Sequence, residues 1–227
     1  MTNNELISII KRISKKFDYP LNLMEVCGTH TAQIFKYGIK SLLPSNIKLI
    51  SGPGCPVCVT PIIDIDRAIE IARNKNVLLC TFGDMMRVLG SKKSLEIARS
   101  EGADIRVVYS PYDCLNIAQQ NSNKDIVFFS AGFETTAPTA AATLEEAKLK
   151  GINNLYIYSV HKLIPPAIEL LLESANTDID GFLLPGHVSV IIGSEPYRFI
   201  SEKYSKPSVI TGFGADDILS AIAMLLL

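Results

Sequence analysis

Short apolar runs alternate with segments of helical periodicity along the whole chain. In the first helical segment, spacings of three and four place five apolar residues on one helix face: Leu6, Ile9, Ile10, Ile13 and Phe17. The apolar runs predict strands at 21–27, 47–51, 76–82, 104–109, 125–130, 154–160, 181–184 and 207–211. The segments around them predict helices at 4–16, 30–40, 61–74, 92–101, 111–121, 138–150, 165–175, 195–204 and 215–227. Strands that are apolar throughout and separated by helices are typical of buried parallel sheets, so the predicted fold class is α/β.

An internal repeat divides this pattern into two similar halves of four βα units each. Three motifs recur in the same order, and their copies are 104, 103 and 103 residues apart: Gly28-x-x-Thr31 with Gly132-x-x-Thr135, Gly83-Asp84 with Gly186-His187, and Asp113 with Asp216. The alternative is that unrelated α/β strands are all followed by glycine. We place the boundary in the polar stretch 121–124, giving α/β domains at 1–122 and 123–227. Two open, mostly parallel sheets would then face each other across a cleft at their carboxyl edges, where such sheets bind ligands.

Composition excludes several classes of protein. Hydrophobic residues make up 48% and charged residues 20% of the 227 residues, which excludes a disordered chain or a coiled coil. The net charge of −1 provides no basic field for nucleic acid or anionic lipid. No apolar run reaches the ~18 residues that span a membrane, and the N-terminus lacks a signal-peptide pattern. Five cysteines, two of them in a C-x-x-C, indicate a reducing, cytoplasmic compartment.

Reactive side chains concentrate in the loops that follow predicted strands. They are Cys27 and His30 after the first strand, Cys55 and Cys58 after the second, Asp84 after the third, Glu134 and Thr135 after the fifth, His161 after the sixth and His187 after the seventh. We expect these loops to line one polar cleft, with the sulfur of Cys27 and those of Cys55 and Cys58 at a common mouth. Gly132-x-x-Thr135-Thr136 could bind a phosphate or cyanide-like anion through backbone N–H groups.

The cysteines allow three kinds of chemistry. Cys27 and Cys58 lie near predicted helix starts, where backbone N–H groups and the helix dipole stabilise a thiolate. Cys55 and Cys58 alone would suffice for a thiol–disulfide oxidoreductase. Together with Cys27 and His30 they have the spacing of a structural zinc site, which would make the chain a zinc-stabilised binding module. Cys80 and Cys114 fall inside a strand and a helix, and we expect them to be small buried hydrophobic residues.

Five motifs together resemble those of the HypD family, whose members mature [NiFe]-hydrogenases. They are MEVCGTHT (24–31), GPGCPVC (52–58), FGDMMRV (82–88), GFETTAP (132–138) and PGHVSVIIG (185–193). The resemblance implies a scaffold that assembles the Fe(CN)₂CO unit, more an assembly factor than a turnover enzyme. It also implies two partners, a HypC-type chaperone and a HypE-type cyanide donor.

The same resemblance implies roles for individual residues. Cys27 would hold the iron together with a cysteine of the chaperone, and His30 would orient or tune that ligand. Cys55 and Cys58 would be a redox pair. Four further motif positions would line the cleft: Asp84, Glu134, Thr135 and His187.

The sequence departs from the family pattern at three places. Leu89 stands where members usually have proline, and GFGADDIL (212–219) stands where they have GFEPxDIL, so that Gly214 replaces a glutamate. Members continue into a third domain whose cysteines bind a [4Fe–4S] cluster. Because only Cys80 and Cys114 lie outside the motifs, we expect the cluster to be absent from this sequence.

Overall fold

A computed structural model describes residues 1–174 and 178–227 of the chain. Within these residues all eight predicted strands are confirmed, with ends that differ by at most two residues: β1 Leu21–Glu25, β2 Ile47–Ser51, β3 Val77–Thr81, β4 Ile105–Val107, β5 Asp125–Ser130, β6 Leu155–Ser159, β7 Gly181–Pro185 and β8 Ser208–Thr211. Every strand pairing is parallel. The predicted α/β class is therefore confirmed.

The predicted helices are also present, and the additional helical segments are short ones in the loops that follow strands. They are α1 Asn3–Ser14, α2 Gly28–Lys36, α3 Ile39–Leu42, α4 Pro56–Val59, α5 Ile62–Ala72, α6 Leu95–Ser100, α7 Asp113–Gln120, α8 Ala137–Leu149, α9 Ile164–Glu173, α10 Gly186–Ile192, α11 Arg198–Glu202 and α12 Ala215–Leu225. Two of these, α4 and α10, and a 3₁₀ helix at Gly83–Arg87 were predicted as loops, because segments of four to seven residues are too short to show a helical period. The predicted end of α9 at 175 lies outside the described residues.

The chain forms two compact units. Unit 1 comprises Met1–Cys55 and Leu163–Leu227, and its sheet has the order β2-β1-β7-β8. Unit 2 comprises Pro56–Lys162, and its sheet has the order β4-β3-β5-β6. Each unit therefore contains an open, four-stranded parallel sheet.

This division differs from the predicted boundary between 122 and 123. Each sheet takes two strands from the first half of the chain and two from the second. Each strand has a counterpart in the other half of the chain, four strands earlier or later. When every strand is replaced by its counterpart, the order β2-β1-β7-β8 becomes β6-β5-β3-β4, which is the order of the other sheet written in reverse. The strand orders thus agree with the predicted repeat. However, the chain passes from unit 1 to unit 2 after β2 and returns after β6, so each unit combines strands from both halves of the chain.

The stretch 121–124, predicted as a linker, is a tightly bonded turn inside unit 2. The side-chain nitrogen Nδ2 of Asn154 donates to the carbonyls of Ala118, Asn121 and Lys124 at 3.1, 3.2 and 2.9 Å. The polar residues there form the connection between α7 and β5. Backbone groups outside helices and strands still need hydrogen-bond partners, and the side chain of Asn154 provides one.

The core of unit 1 lies between its sheet and the helices at the two ends of the chain. Helix α1 packs against α12, and its buried face carries the predicted Leu6, Ile10 and Ile13. Helix α12 buries Ile218 and Ile222 in the same cluster. The apolar face of the last helix is thus part of this core.

Unit 2 has a hydrophobic cluster on each side of its sheet. Successive residues of a strand point to opposite faces, so Leu79 joins one cluster while Leu78 and Cys80 join the other. Cys80 and Cys114 have no exposed surface, which confirms them as buried residues. Their contact and their burial raise the pKa of the Cys114 thiol. Among the residues described here, no helix is long and apolar enough to cross a membrane.

Candidate functional site

Cys27 lies at the carboxyl end of β1 and forms the N-cap of α2. Its backbone is extended (φ −151°, ψ 125°), and its carbonyl accepts the Thr31 N–H at 3.2 Å, which starts the helix. The predicted position at a helix start is confirmed. The residue is only 4% exposed, however, whereas the sequence led us to expect its sulfur at an open mouth.

Glu25 lies directly beneath this turn and was missed by the sequence prediction. Its carboxylate accepts the Cys27 N–H at 3.2 Å and the hydroxyl of Thr31. Glu25 is 2% exposed, and burial raises its pKa, although hydrogen bonds from Ser51, Thr31 and the Cys27 amide oppose the rise. An acidic residue near the end of an otherwise apolar strand was the signal that could have identified it.

Loop 52–55 covers the backbone of Cys27. The Gly52 N–H donates to the carbonyl of Glu25 at 2.7 Å, and the Gly28 N–H donates to the carbonyl of Gly54 at 3.2 Å. A Cβ added to Gly54 would lie closer than 3.0 Å to both Cα and N of Cys27, so only glycine fits there. A Cβ added to Gly28 would lie 3.9 Å from that of Cys55, which places Cys55 beside the start of α2. The burial of Cys27 follows from this cover.

His30 is fully buried in the first turn of α2. Its Nε2 lies 2.8 Å from the carbonyl oxygen of Gly212, which can only accept, so Nε2 carries the proton. Nδ1 is buried and has no hydrogen-bond partner among residues 1–174 and 178–227. Burial first, and then the neighbouring His187, lower the pKa of His30, while the bond to Gly212 opposes the change. The imidazole is therefore neutral near pH 7.

His187 approaches the same place from the loop after β7. The ring of Phe213, after β8, lies 4.6 Å from the ring of His30 and 5.2 Å from that of His187, measured between centroids. A Cβ added to Gly186 would lie 2.8 Å from the carbonyl oxygen of Thr211, so the two loops pack closely. Because β1, β7 and β8 are neighbours in the sheet, their carboxyl ends bring these loops together.

The remaining predicted positions lie at the carboxyl edge of the sheet of unit 2. Asp84 is exposed on the 3₁₀ helix after β3, Glu134 is 5% exposed, and Thr135 is half-buried in the loop after β5. His161 follows β6, and its Nε2 lies 3.1 Å from the hydroxyl of Thr136. Its Nδ1 lies 2.9 Å from the Ser159 hydroxyl. Partial burial lowers the pKa of His161.

The C-x-x-C motif spans the first crossing between the units. Cys55 is the last residue of the first segment of unit 1 and is half-buried, whereas Cys58 lies in α4 of unit 2 and is exposed. The structure thus brings Cys27, His30, Cys55 and His187 to the sheet edge of unit 1. It places Asp84, Glu134 and Thr135 at the sheet edge of unit 2. A single cleft shared by all of them stays a prediction.

A structural zinc site is not supported within either unit. Three of its four predicted ligands, Cys27, His30 and Cys55, belong to unit 1. Within the described part of each unit, no three His, Cys, Asp or Glu side chains group as metal ligands. Structural zinc needs four such side chains around one point, and the described part of neither unit provides them.

Comparison with known proteins links these motifs to one family. The profile of the family described as "HypD: Hydrogenase formation hypA family" matches residues 2–227. The hydrogenase maturation factor HypD of Escherichia coli K12 is 48% identical over 213 residues, which are 94% of this chain and 57% of that protein. HypD of Rhodobacter capsulatus is 46% identical over 222 residues, 98% of this chain and 59% of that protein.

An archaeal relative extends the comparison. A putative hydrogenase expression/formation protein of Methanocaldococcus jannaschii is 47% identical over 220 residues, 97% of this chain and 61% of that protein. The chain thus spans about three fifths of the length of these relatives. Because the family profile covers almost every residue of the sequence, this chain belongs to the HypD hydrogenase-formation family.

Proposed function

We propose that this chain is the iron-holding part of a hydrogenase maturation factor and that Cys27 binds the iron. The observation that carries the proposal is the placement of one cysteine at the N-cap of α2, with its amide fixed by Glu25 and its backbone under loop 52–55. The thiolate is the form of cysteine that binds metal. The relatives named as hydrogenase maturation factors supply the biological setting.

In this proposal, iron is the cargo and Cys27 supplies one of its ligands. A second thiolate would come from a HypC-type chaperone, and a HypE-type protein would donate cyanide. Soft thiolate ligands suit an iron centre that also carries cyanide and carbon monoxide. Because Cys27 is 4% exposed, its surroundings have to open before iron and chaperone can reach the sulfur. His30, three residues further along α2, would orient this ligand from beside it.

Cys55 and Cys58 are proposed as a redox pair that serves this assembly. Cys58 is exposed in α4, as a thiol that exchanges with a partner must be. Asp84, Glu134, Thr135 and His187 are proposed to contact the cargo or its donors. Cys80 and Cys114 lie in the core of unit 2, so we assign neither of them to an iron–sulfur cluster.

The exposure of Cys58 also favours a second candidate, a stand-alone thiol–disulfide oxidoreductase. Such an enzyme needs Cys55 and Cys58 but not Cys27. Insulin reduction that is lost in Cys55→Ser and kept in Cys27→Ser would support it. Equal activity in both variants and in the unchanged chain would reject it.

The iron role is tested by infrared spectroscopy of the chain purified without oxygen together with its HypC-type partner. We expect cyanide and carbon monoxide stretching bands with the unchanged chain and none with Cys27→Ala. Cys114→Ala is a matched control that removes a buried thiol far from this turn in sequence, and it should keep the bands. Absence of bands from the unchanged complex, or equal bands in Cys27→Ala, would reject the proposal.

A further inference from the structure

The GFGADDIL segment, which departs from the family pattern, contributes directly to the surroundings of His30. It begins immediately after β8, and two of its residues, Gly212 and Phe213, contact the imidazole. The Gly212 carbonyl accepts from Nε2, and the Phe213 ring lies against the imidazole at an interplanar angle of 40°. The same ring also contacts His187, at an angle of 52°. One aromatic side chain thus contacts both histidines of unit 1.

The position of the Gly212 carbonyl is itself fixed. The Asp217 carboxylate accepts the Gly214 N–H at 3.1 Å, which closes the turn before α12. A Cβ added to Gly212 would lie closer than 3.0 Å to the Asp217 carboxylate, so the turn packs against this side chain. The acceptor that His30 meets is therefore a backbone carbonyl in a hydrogen-bonded turn and not a side chain.

This arrangement leaves one nitrogen of His30 without a donor. With the proton on Nε2, Nδ1 carries a lone pair, and this buried atom has no partner in the described part of the chain. Buried polar atoms are nearly always hydrogen-bonded in native proteins, and an exception calls for an explanation. A donor that arrives with a ligand or a partner protein would supply the missing bond.

We propose that Phe213 is a positioning residue, which together with the Gly212 carbonyl holds His30 in the Nε2–H tautomer and keeps Nδ1 as a hydrogen-bond acceptor for an incoming donor. The functional part of this inference rests on the proposed role of the Cys27 turn in iron assembly. The structural part does not depend on that role. The ring contributes by covering the imidazole, because water at Nδ1 would satisfy the lone pair and allow the proton to move between the two nitrogens.

Nitrogen NMR of the imidazole rings tests the structural part. The chain has three histidines, so ¹⁵N-labelled protein gives three pairs of ring-nitrogen signals, and the pair lost in His30→Gln identifies His30. We expect a single Nε2–H tautomer for His30 in the unchanged chain. We expect mixed tautomers in Phe213→Ala and retention of the single tautomer in Phe213→Tyr, which keeps the ring.

Phe199→Ala is the matched control. Phe199 is also a half-buried ring of unit 1, but its aromatic partner is Tyr204 and not a histidine. A single Nε2–H tautomer should therefore persist in this variant. An unchanged His30 signal in Phe213→Ala, or an equal change in Phe199→Ala, would overturn the inference. Phe213→Leu, which fills much of the same volume, replaces Phe213→Ala if the latter does not fold.

Infrared spectra of the complex with the chaperone separate this inference from the proposed function. We expect the cyanide and carbon monoxide bands to weaken by about 10–100-fold in Phe213→Ala, the usual effect of removing a residue that orients a ligand. Full bands together with mixed tautomers would overturn the functional part. If the unchanged complex shows no bands, the proposed function fails, and the NMR result still decides whether Phe213 positions His30.

Discussion

Replacing Gly54 with alanine perturbs the contact between loop 52–55 and Cys27 without touching any reactive group. The new Cβ would lie closer than 3.0 Å to Cα and N of Cys27, and these backbone atoms cannot rotate away. Carbon atoms pack best at about 3.5–4.0 Å, so the loop has to retreat by more than about 1 Å. The hydrogen bond from Gly28 N–H to the Gly54 carbonyl is already 3.2 Å long and would be lost.

The magnitude follows from these two effects. Overpacking costs about 1–3 kcal/mol, and the lost hydrogen bond costs about 0.5–1.5 kcal/mol. The closed loop should therefore be destabilised by about 1.5–4.5 kcal/mol. At 1.4 kcal/mol per factor of ten, the population with an open loop rises by about 10- to 1,600-fold.

The assay is the rate at which Cys27 is alkylated, followed on its peptide by mass spectrometry. When opening is fast and reversible, this rate follows the open population, so Gly54→Ala should accelerate alkylation by that factor. Gly28→Ala is the matched control, because a Cβ there would meet its nearest neighbour only at 3.8 Å. An unchanged alkylation rate in Gly54→Ala, or the same acceleration in Gly28→Ala, would refute the packing argument.

Three further predictions concern stability, measured as the free energy of unfolding in urea. Asn154→Ala should cost about 1–3 kcal/mol, because three carbonyls of the turn before β5 lose their donor; no change would show that this turn does not depend on the amide. Ile222→Ala should cost about 2–5 kcal/mol, since the residue is fully buried. Val190→Ala, at an 84% exposed position, should change the free energy of unfolding by less than about 0.5 kcal/mol. Equal costs in the two variants would contradict the assigned core. Partial burial lowers the pKa of His161 from 6.5, so its contribution is present above pH 6.5 and is lost as pH falls through the lowered pKa. His161→Gln should therefore lose less stability on acidification than the unchanged chain, and an equal or steeper loss would contradict the assigned direction.

The strands were predictable because their signal is local. β2 and β5 have the predicted bounds, since buried parallel strands are short apolar runs that end at polar or glycine residues. The domain boundary was not predictable by the same reasoning. Which strands pair is decided by contacts between distant parts of the chain, and a polar turn such as 121–124 resembles a linker in sequence.

For the candidate site, too, local features were predictable from the sequence and contacts between distant segments were not. Cys27 was placed correctly at a helix start, because the strand, the glycine and the helix follow one another along the chain. Its burial was not foreseen, because the cover comes from loop 52–55, more than twenty residues away in sequence. Glu25 and Phe213 were missed for a related reason. Their importance lies in what they contact, and neither residue type marks a site when considered alone.

The most direct test of the central claim is iron-edge X-ray absorption of the chain in complex with the proposed HypC-type chaperone, prepared without oxygen. We expect sulfur atoms among the ligands of the iron in the unchanged complex. We also expect Cys27→Ala to remove one sulfur ligand or the iron itself, and Cys114→Ala to change neither. An identical sulfur environment and iron content in Cys27→Ala would contradict the assignment of Cys27 as the residue that holds the iron.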